Sequence, residues 1–421
     1  MGSAATTLIF LLFLTVNTCI NMDHGSIPAA TNEISFDLGL SKMELGALGS
    51  LVFLGIAIGG IAAGICFQKL SPKFVLTIAL FSICIFIALF PVSSNSIALV
   101  YLSRFMTGFF QVFLIAYIPA WIDIFASENQ KTLWLTYLQL TVPFGMMFGY
   151  ILTAAITEYW DWEYSFIIQG ALFIPCAIIL QFFPSSMIHY SEDALAKRQS
   201  ESLLSLTHEK KKLKKKIYQL LTNPTYLWSI CGIMTSYFVV TGAQFWTTDY
   251  LLNVLKIKGT SIFTPYAVTC LTAPTLGVAG GGYLCHRCGG YNGERAKKLC
   301  GLLGFLGCIF ALPLPFVGSL EMFAMLFWFI LFFGGGVMPV LTGIMISSVK
   351  NNMKPLASSF ASVVTNLLGY LPAPIVYGII CEYTGGRKSP YGMMFIIYCC
   401  FISELFIILT ALSKNKIIPK L

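Results

Sequence analysis

Long apolar runs, separated by short polar breaks, follow one another along almost the whole chain. A helix needs about 20 mostly apolar residues to cross the hydrocarbon core of a bilayer, and twelve of the runs reach that length. The pattern therefore predicts an all-α membrane protein with twelve transmembrane helices. The predicted spans lie near residues 4–29, 44–67, 73–92, 97–125, 132–157, 164–184, 224–252, 261–285, 297–318, 322–349, 354–381 and 390–412.

One long polar segment, residues 185–223, divides these runs into two sets of six. It contains the only dense charge block of the chain, which runs from Glu209 to Lys216. A solvated helix face would explain these lysines alone, but it would not explain the six-and-six division. We therefore predict an N-terminal six-helix bundle at 1–184, a cytosolic basic linker at 185–223 and a C-terminal six-helix bundle at 224–421.

Composition supports an integral multi-pass membrane protein. Hydrophobic residues make up 57% of the chain, charged residues only 10%, and the mean hydropathy is +0.79. The net charge of +8 does not indicate nucleic acid, because the basic residues are sorted by loop: 20 lie on the side of the central segment and five on the other. By the positive-inside rule, both termini are cytosolic. The loops do not distinguish a plasma membrane from an endolysosomal or vacuolar-type membrane.

The end of the first span carries an unusual concentration of polar residues. Asn21, Asp23 and His24 come at membrane depth and are followed by Pro28, which predicts a local break in the helix that faces protein or a cavity. A carboxylate inside a membrane marks a substrate or proton path by default. The alternative is that Asp23 lies hydrated at the outer helix end.

Two short loops resemble each other at equivalent places in the two halves. The loop after span two keeps Gly64 and a cation, Lys69, and the loop after span eight keeps Gly282, Arg287 and Gly289. Both resemble the G-x-x-x-D-R-x-G-R-R signature of the major facilitator superfamily, with Gln68 and His286 in place of the acid. The resemblance implies two six-helix bundles and a gating role for these cytosolic loops.

Spans four to seven are similar to one branch of that superfamily, the Spinster-type lysolipid and sphingolipid transporters. Arg104 and Gly108 fit the branch's R-x-x-x-G-x-x-E motif, in which Gln111 replaces the glutamate. Span seven contains Gly242-Ala243-Gln244-Phe245-Trp246, which resembles the branch's G-A-x-x-x-W with one residue fewer before the tryptophan. Further resemblances are the Pro-Gly-Gly pattern of span five, the Trp-x-Trp turn before span six and the run that begins at Asn366 in span eleven; span ten adds the polar position Thr342.

Two departures from the branch concern ion coupling. His24 stands where the branch has an arginine beside the first-span acid, and Gln111 cannot titrate. A proton-coupled mechanism would therefore use Asp23 and His24. Arg104, the only lysine or arginine away from the end of a predicted span, needs a carboxylate, backbone carbonyls or water, and Asp23 is the acid expected to serve it.

The expected function is secondary active or facilitative transport by alternating access. The expected substrate is a small amphiphile such as a lysophospholipid, with protons as the coupling ion. The protein is expected to act as a monomer in contact with membrane lipids. A small organic anion, sugar or vitamin-like solute is the alternative substrate, and a non-transporting membrane sensor is the alternative class. Four scattered histidines argue against an enzyme. No cofactor is expected, and no metal, because Cys285 and Cys288 form only half a zinc site.

Overall fold

The computed structural model describes residues 2–93, 96–188, 216–291, 293–350 and 353–413, and within these ranges every predicted span is helical. Twelve described helices are long and apolar enough to cross a membrane, which confirms the fold class. The first six spans, with one additional short helix, α2, have these bounds: α1 (Gly2–Ala29), α2 (Thr31–Asp37), α3 (Lys42–Lys69), α4 (Pro72–Val92), α5 (Ile97–Phe125), α6 (Glu128–Thr157) and α7 (Glu163–Phe182).

The second set of six spans includes one interrupted helix. In span eleven, a π-helical segment, Thr365–Tyr370, joins two α-helices, and the N–H of Leu371 donates to the carbonyl of Asn366 five residues earlier at 3.1 Å. The bounds are α8 (Pro224–Asn253), α9 (Gly259–Arg287), α10 (Glu294–Ala311), α11 (Leu320–Ser347), α12 (Lys354–Val364), α13 (Pro372–Thr384) and α14 (Tyr391–Leu412).

The chain divides into two compact units, Met1–Glu201 and Ser202–Leu421. Each unit packs its first span against its fifth, its second against its fourth and its third against its sixth. Most of the predicted linker lies outside the described residues, so its boundaries stay a prediction. Its first residues are described, and they pack on α5: Tyr117 donates its hydroxyl to the Ile188 carbonyl, and Trp121 Nε1 donates to the Met187 carbonyl at 2.9 Å.

Local sequence explains where several helices begin. Ser41 and Glu44 form a capping box at the start of α3, in which Ser41 N–H donates to Glu44 Oε2 at 2.9 Å and Glu44 N–H donates to Ser41 Oγ at 3.3 Å. At the start of α8, the side chain of Asn223 accepts from the Tyr226 N–H, and Pro224 occupies a position where no N–H is needed. Such caps satisfy the backbone donors that a helix leaves free in its first turn.

Glycines bring the second and fourth spans of each unit together. A methyl group added at Gly108 of α5 would overlap the carbonyl oxygen of Val52 on α3, and one at Gly277 of α9 would overlap that of Phe332 on α11. Small residues permit this close approach of membrane helices, and dispersion contacts then hold the pair. Close contacts at glycine therefore join the second and fourth spans at equivalent places in both units.

Lysines also act at equivalent places in the two units. Lys73, in the first turn of α4, donates to the carbonyls of Gln181, in the last turn of α7, and of Phe183, just after it, at 2.9 and 2.8 Å. Lys297, in the first turn of α10, donates to the carbonyl of Ser413 after α14 at 2.8 Å. A cation at the C-terminus of a helix satisfies free carbonyls and opposes the negative end of the helix dipole. Each third span thereby fixes the end of the sixth.

The predicted break at the end of span one is wrong. Helix α1 continues through Asn21 and Pro28 to Ala29 without interruption. The polar side chains bond within the helix instead: Asn21 Nδ2 donates to the Asn17 carbonyl at 2.7 Å, and Ser26 Oγ donates to the Met22 carbonyl at 2.9 Å. These contacts let the polar sequence stay helical, and it faces protein as expected.

Candidate functional site

The first-span acid and the fourth-span arginine form a buried ion pair. Arg104 Nη1 donates to Asp23 Oδ1 at 2.6 Å, and Arg104 Nη2 donates to Asp23 Oδ2 at 3.0 Å. Their side chains are 1% and 0% exposed. This two-point geometry requires the planar guanidinium and is among the strongest hydrogen-bonded arrangements in proteins. The expected contact between Asp23 and Arg104 is therefore present in the structure.

The pair lies well inside the helices that carry it. Asp23 comes about two turns before the end of α1, and Arg104 about two turns after the start of α5, which places the pair about 10 Å from those helix ends. Asp23 is therefore not an exposed, hydrated helix end. Ionisable groups at such depth are expensive and mark functional positions.

An aromatic side chain lies against the guanidinium. The Arg104 Cζ atom lies 5.3 Å from the centre of the Phe90 ring of α4, a distance at which a ring face attracts a cation. Phe90 in turn packs against Trp162 and Phe166 at centroid distances of 5.3 and 4.9 Å. Arg104 Nε is buried without a hydrogen-bond partner, so the arginine retains one unused donor.

Gln111 completes this face of α5, two turns after Arg104. It is fully buried, and its side chain approaches the Asp23 carboxylate, but neither amide atom makes a hydrogen bond of normal length and angle. A buried polar group without a partner costs about 1–3 kcal/mol. Together with Arg104 Nε, Gln111 offers donors and an acceptor that a polar ligand or water can satisfy.

A second glutamine extends the polar cluster to α7. Gln169 Nε2 donates to Ser26 Oγ at 2.7 Å, and Ser26 Oγ also lies 3.3 Å from the Gly149 carbonyl on α6. Gln169 Oε1 is buried without a partner. Sequence reasoning missed this residue, although a glutamine inside an otherwise apolar span was the available signal.

His24 and Asn21 flank the ion pair. The His24 ring is half-buried and stacks on Phe53 of α3, with ring centres 5.6 Å apart and planes 17° from parallel. Asn21 bonds to its own helix, as described above. His24 thus has an environment distinct from that of Asp23, although the two are adjacent in the chain.

In the second unit, Trp246 of α8 is a buried packing residue. Its Nε1 donates to the Pro374 carbonyl at 2.9 Å, and its ring stacks on Tyr377 at 4.5 Å. The backbone carbonyl of Gln244 accepts from the Tyr266 hydroxyl at 2.8 Å, and the Gln244 side chain is half-buried. These contacts bind α8 to α13 and α9.

The other two predicted positions of this unit lie on separate elements. Thr342 is exposed on α11. Asn366 belongs to the π-helical segment, where its Nδ2 donates to the Ser362 carbonyl at 2.9 Å. Sequence reasoning missed Asp249, which is 1% exposed on α8 and accepts from Asn253 Nδ2 at 2.9 Å. An acid one turn from Trp246 was the signal for it.

The two signature loops differ in their contacts. Gly64 and Lys69 lie exposed at the end of α3. At the end of α9, Arg287 folds back on its own helix, where its Nε and Nη2 donate to the Tyr283 hydroxyl at 2.9 and 2.7 Å, and His286 is exposed. Two glycines follow, of which Gly289 has φ +95°, a conformation that a side chain disfavours. Whether these loops gate transport stays a prediction.

An apolar groove of about 390 Å³ runs along α1, α6 and α7. Its lining includes Leu11, Phe148 and Leu172. The hydroxyls of Thr15 and Thr18 also line it, but they bond to carbonyls of their own helix at 3.0 and 2.9 Å. The groove is therefore lined mainly by hydrocarbon, and its two threonine hydroxyls already have hydrogen-bond partners.

Comparisons with known proteins agree on the family. The model of the Major Facilitator Superfamily matches residues 7–374. The probable sphingolipid transporter spinster homolog 2 of Arabidopsis thaliana is 22% identical over 376 residues, which cover 87% of this chain and 75% of the relative. Protein spinster homolog 1 of Xenopus tropicalis is also 22% identical, with 98% of this chain and 81% of the relative covered.

Solved structures share the fold. A bacterial homolog of the human lysosomal transporter Spinster, in an inward-facing and occupied conformation, has a TM-score of 0.79 at 13% identity over 97% of both chains. The xylose transporter XylE from E. coli, in an inward-open conformation, has a TM-score of 0.72 at 14% identity over 95% of both chains. Because the family model matches most of its length, the chain belongs to the major facilitator superfamily, and it resembles the Spinster-type branch.

Proposed function

We propose that this protein is a secondary transporter that works by alternating access, moves a small amphiphile such as a lysophospholipid, and couples that movement to protons through Asp23. The observation that carries the proposal is the buried Asp23–Arg104 pair, with the Gln111 amide close to the carboxylate but without a hydrogen bond of normal geometry. A charged pair at membrane depth is costly, and unmet donors next to it form a binding environment rather than a packed core.

The pair offers a simple means of coupling. Protonation of Asp23 removes the charge that balances Arg104, and the guanidinium then needs another acceptor. An anionic group of the substrate, such as a phosphate, would satisfy the arginine in a planar two-point contact. Proton binding and substrate binding would thus favour one another at Arg104. His24, adjacent in the chain, would tune the acid. Facilitated diffusion without protons is the alternative.

An amphiphilic substrate agrees with two observations. The Arabidopsis relatives are described as probable sphingolipid transporters, and the groove along α1 has the hydrocarbon lining that suits an acyl chain. One feature favours a second candidate, a sugar or similar polar solute: the free amide atoms of Gln111 and Gln169 suit hydroxyl groups. XylE, a structural neighbour, is a xylose transporter.

Counterflow in proteoliposomes tests this function. Vesicles loaded with an unlabelled lysophospholipid should take up the labelled lipid faster than empty vesicles, and Arg104→Gln should lose this exchange. Vesicles loaded with xylose serve as the parallel test. Exchange of xylose without exchange of the lipid would favour a sugar over an amphiphile as the substrate. The absence of exchange for both, from protein shown to be folded, would favour a non-transporting sensor.

We propose that both termini and the central basic segment face the cytosol, that the two bundles are joined there, and that the protein acts as a monomer in a plasma membrane or an endolysosomal or vacuolar-type membrane. The proposal rests on the distribution of lysine and arginine among the loops. Impermeant thiol reagents should label cysteines placed at exposed Lys69 and exposed Lys388 from opposite faces of the membrane. Labelling of both from one face would reject the orientation.

A further inference from the structure

Glu404 is a buried carboxyl group near the middle of α14, the last span. It is 7% exposed and lies about 12 Å from the C-terminal end of the helix, as judged from the rise per residue. The proposed transport site does not include it. A glutamate at this depth needs a partner, a cavity or a proton.

The adjacent helix α10 is shaped to receive this carboxyl group. A methyl group added at Gly304 would overlap Glu404 Oε2, and one added at Gly301 would lie 3.9 Å from Glu404 Oε1. These two glycines, one turn apart, form a recess that a side chain at position 304 would fill. The glutamate is therefore inserted between helices and does not point towards lipid headgroups.

No described cation pairs with Glu404, and its Oε2 atom is buried without a hydrogen-bond partner. Lys297, the buried lysine of α10, already donates to the Ser413 carbonyl and to Glu294 Oε1. The carboxylate therefore has no opposite charge to offset the loss of its hydration.

Thiols and hydroxyls lie around Glu404. Cys300 of α10 and Cys400 of α14 are the thiols near its carboxyl group, and Cys400 in turn lies 3.7 Å from Cys308 of α10, Sγ to Sγ. Towards α8, Ser403 donates to the Gly232 carbonyl at 3.1 Å and pairs with Ser236. Helix α13 meets α14 near its other end, where Cys381 and Tyr377 adjoin Gly392.

We infer that Glu404 is a proton-binding site in the C-terminal unit, which holds a neutral carboxylic acid in the α10–α14 interface. An ion in apolar surroundings is far less stable than the neutral acid unless a counter-charge is present. Water reaching the recess would let the acid release its proton. The inference does not depend on transport, because proton binding at Glu404 can be measured in protein that moves nothing.

Infrared difference spectroscopy of the purified, folded protein tests the site directly. Near pH 7, an ordinary glutamate is ionised, its pKa being about 4.3. The wild type should therefore show the carbonyl stretch of a protonated carboxylic acid, and Glu404→Gln, which keeps the side-chain shape, should lack it. The band should also disappear at alkaline pH. Identical carbonyl regions in the two proteins near neutral pH would overturn the inference.

A glycine pair provides the structural control. Gly304→Ala should displace the carboxyl group from its recess and weaken or shift the band, whereas Gly301→Ala, with ordinary van der Waals spacing, should leave it unchanged. Equal effects of the two variants would contradict the role of the recess. Glu404→Gln remains the deciding variant if Gly304→Ala does not fold. A transport assay is not required, so failure of the proposed function would leave this result intact.

Discussion

Arg104 on α5 binds both carboxylate oxygens of Asp23 on α1, at 2.6 and 3.0 Å, with both side chains removed from solvent. Each charge thus depends on the other for the hydrogen bonds that water would supply. The arrangement links two helices of one unit and leaves Arg104 Nε and the Gln111 amide unsatisfied. The atoms that hold these two helices together are therefore also those of the proposed ligand site.

Removing either member of the pair should destabilise the protein more than removing both. Asp23→Asn or Arg104→Gln leaves one buried charge without a partner, a change that costs about 3–5 kcal/mol. The double variant leaves two neutral amides and should regain most of that free energy of unfolding. Thermal or denaturant unfolding of the purified protein gives the double-mutant cycle.

The pair of half-buried Lys131 and exposed Asp123, 3.7 Å apart, is the control for this cycle. Because solvent screens exposed charges, neutralising Asp123 should change the unfolding midpoint little. Additive losses at Asp23 and Arg104 would show that the two residues are not energetically coupled. Arg104→Lys should fall between wild type and Arg104→Gln, since it keeps the charge but lacks the planar fork.

Gln111→Leu should separate stability from transport. Leucine fills a similar volume without leaving buried amide atoms unsatisfied, so we expect the free energy of unfolding to stay equal or rise by about 1–2 kcal/mol. Transport should fall at least about tenfold, the equivalent of about 1.4 kcal/mol of lost binding to ligand. Unfolding and counterflow of the same preparation are the measurements. Full transport activity in Gln111→Leu would show that the Gln111 amide is not part of the binding site.

Gly108 should tolerate alanine much less than Gly64 does. A Cβ at Gly108 would overlap the Val52 carbonyl, whereas one at Gly64 would meet no atom within 4 Å. Overpacking of this kind costs about 1–3 kcal/mol, and we expect that loss in the unfolding of Gly108→Ala alone. Equal stability of the two variants would mean that α3 and α5 can separate at little cost.

Two neighbouring lysines of α10 should differ in how much they contribute to the free energy of unfolding. Lys297 is 3% exposed and bonds the end of α14, while Lys298 is exposed. Lys297→Met removes a hydrogen bond from a charged donor and should lower the free energy of unfolding by about 1.5–3 kcal/mol. Lys298→Met should have little effect. A loss at Lys298 as large as that at Lys297 would argue for a general charge effect.

Much of the fold could be predicted because a bilayer imposes strong rules on sequence. Span length and apolar content indicated all twelve helices, and the cost of an unpaired arginine at depth indicated Asp23 as the partner of Arg104. Both inferences use constraints that act on single segments or on one expensive group. They do not require knowledge of which helix faces which.

The remaining features depend on the register between helices. The recess that receives Glu404 exists because Gly304 of α10 lies opposite it, and the contact of Gln169 with Ser26 joins residues 143 positions apart. Sequence reasoning missed Asp249 because a single acid changes the mean hydropathy of its span only slightly. The false break in α1 came from treating Asn21 and Pro28 as helix breakers, whereas α1 runs through both and the Asn21 side chain bonds to the preceding turn.

The most direct test of the account is accumulation of the transported substrate in proteoliposomes with an imposed proton gradient. Wild-type protein should concentrate the substrate identified by counterflow when the gradient is present and only equilibrate it when the gradient is collapsed. Asp23→Asn should still exchange substrate, which shows that it is folded, but should not accumulate it. Accumulation by Asp23→Asn equal to that of the wild type would contradict coupling through Asp23, and a wild type indifferent to the gradient would make the protein a uniporter.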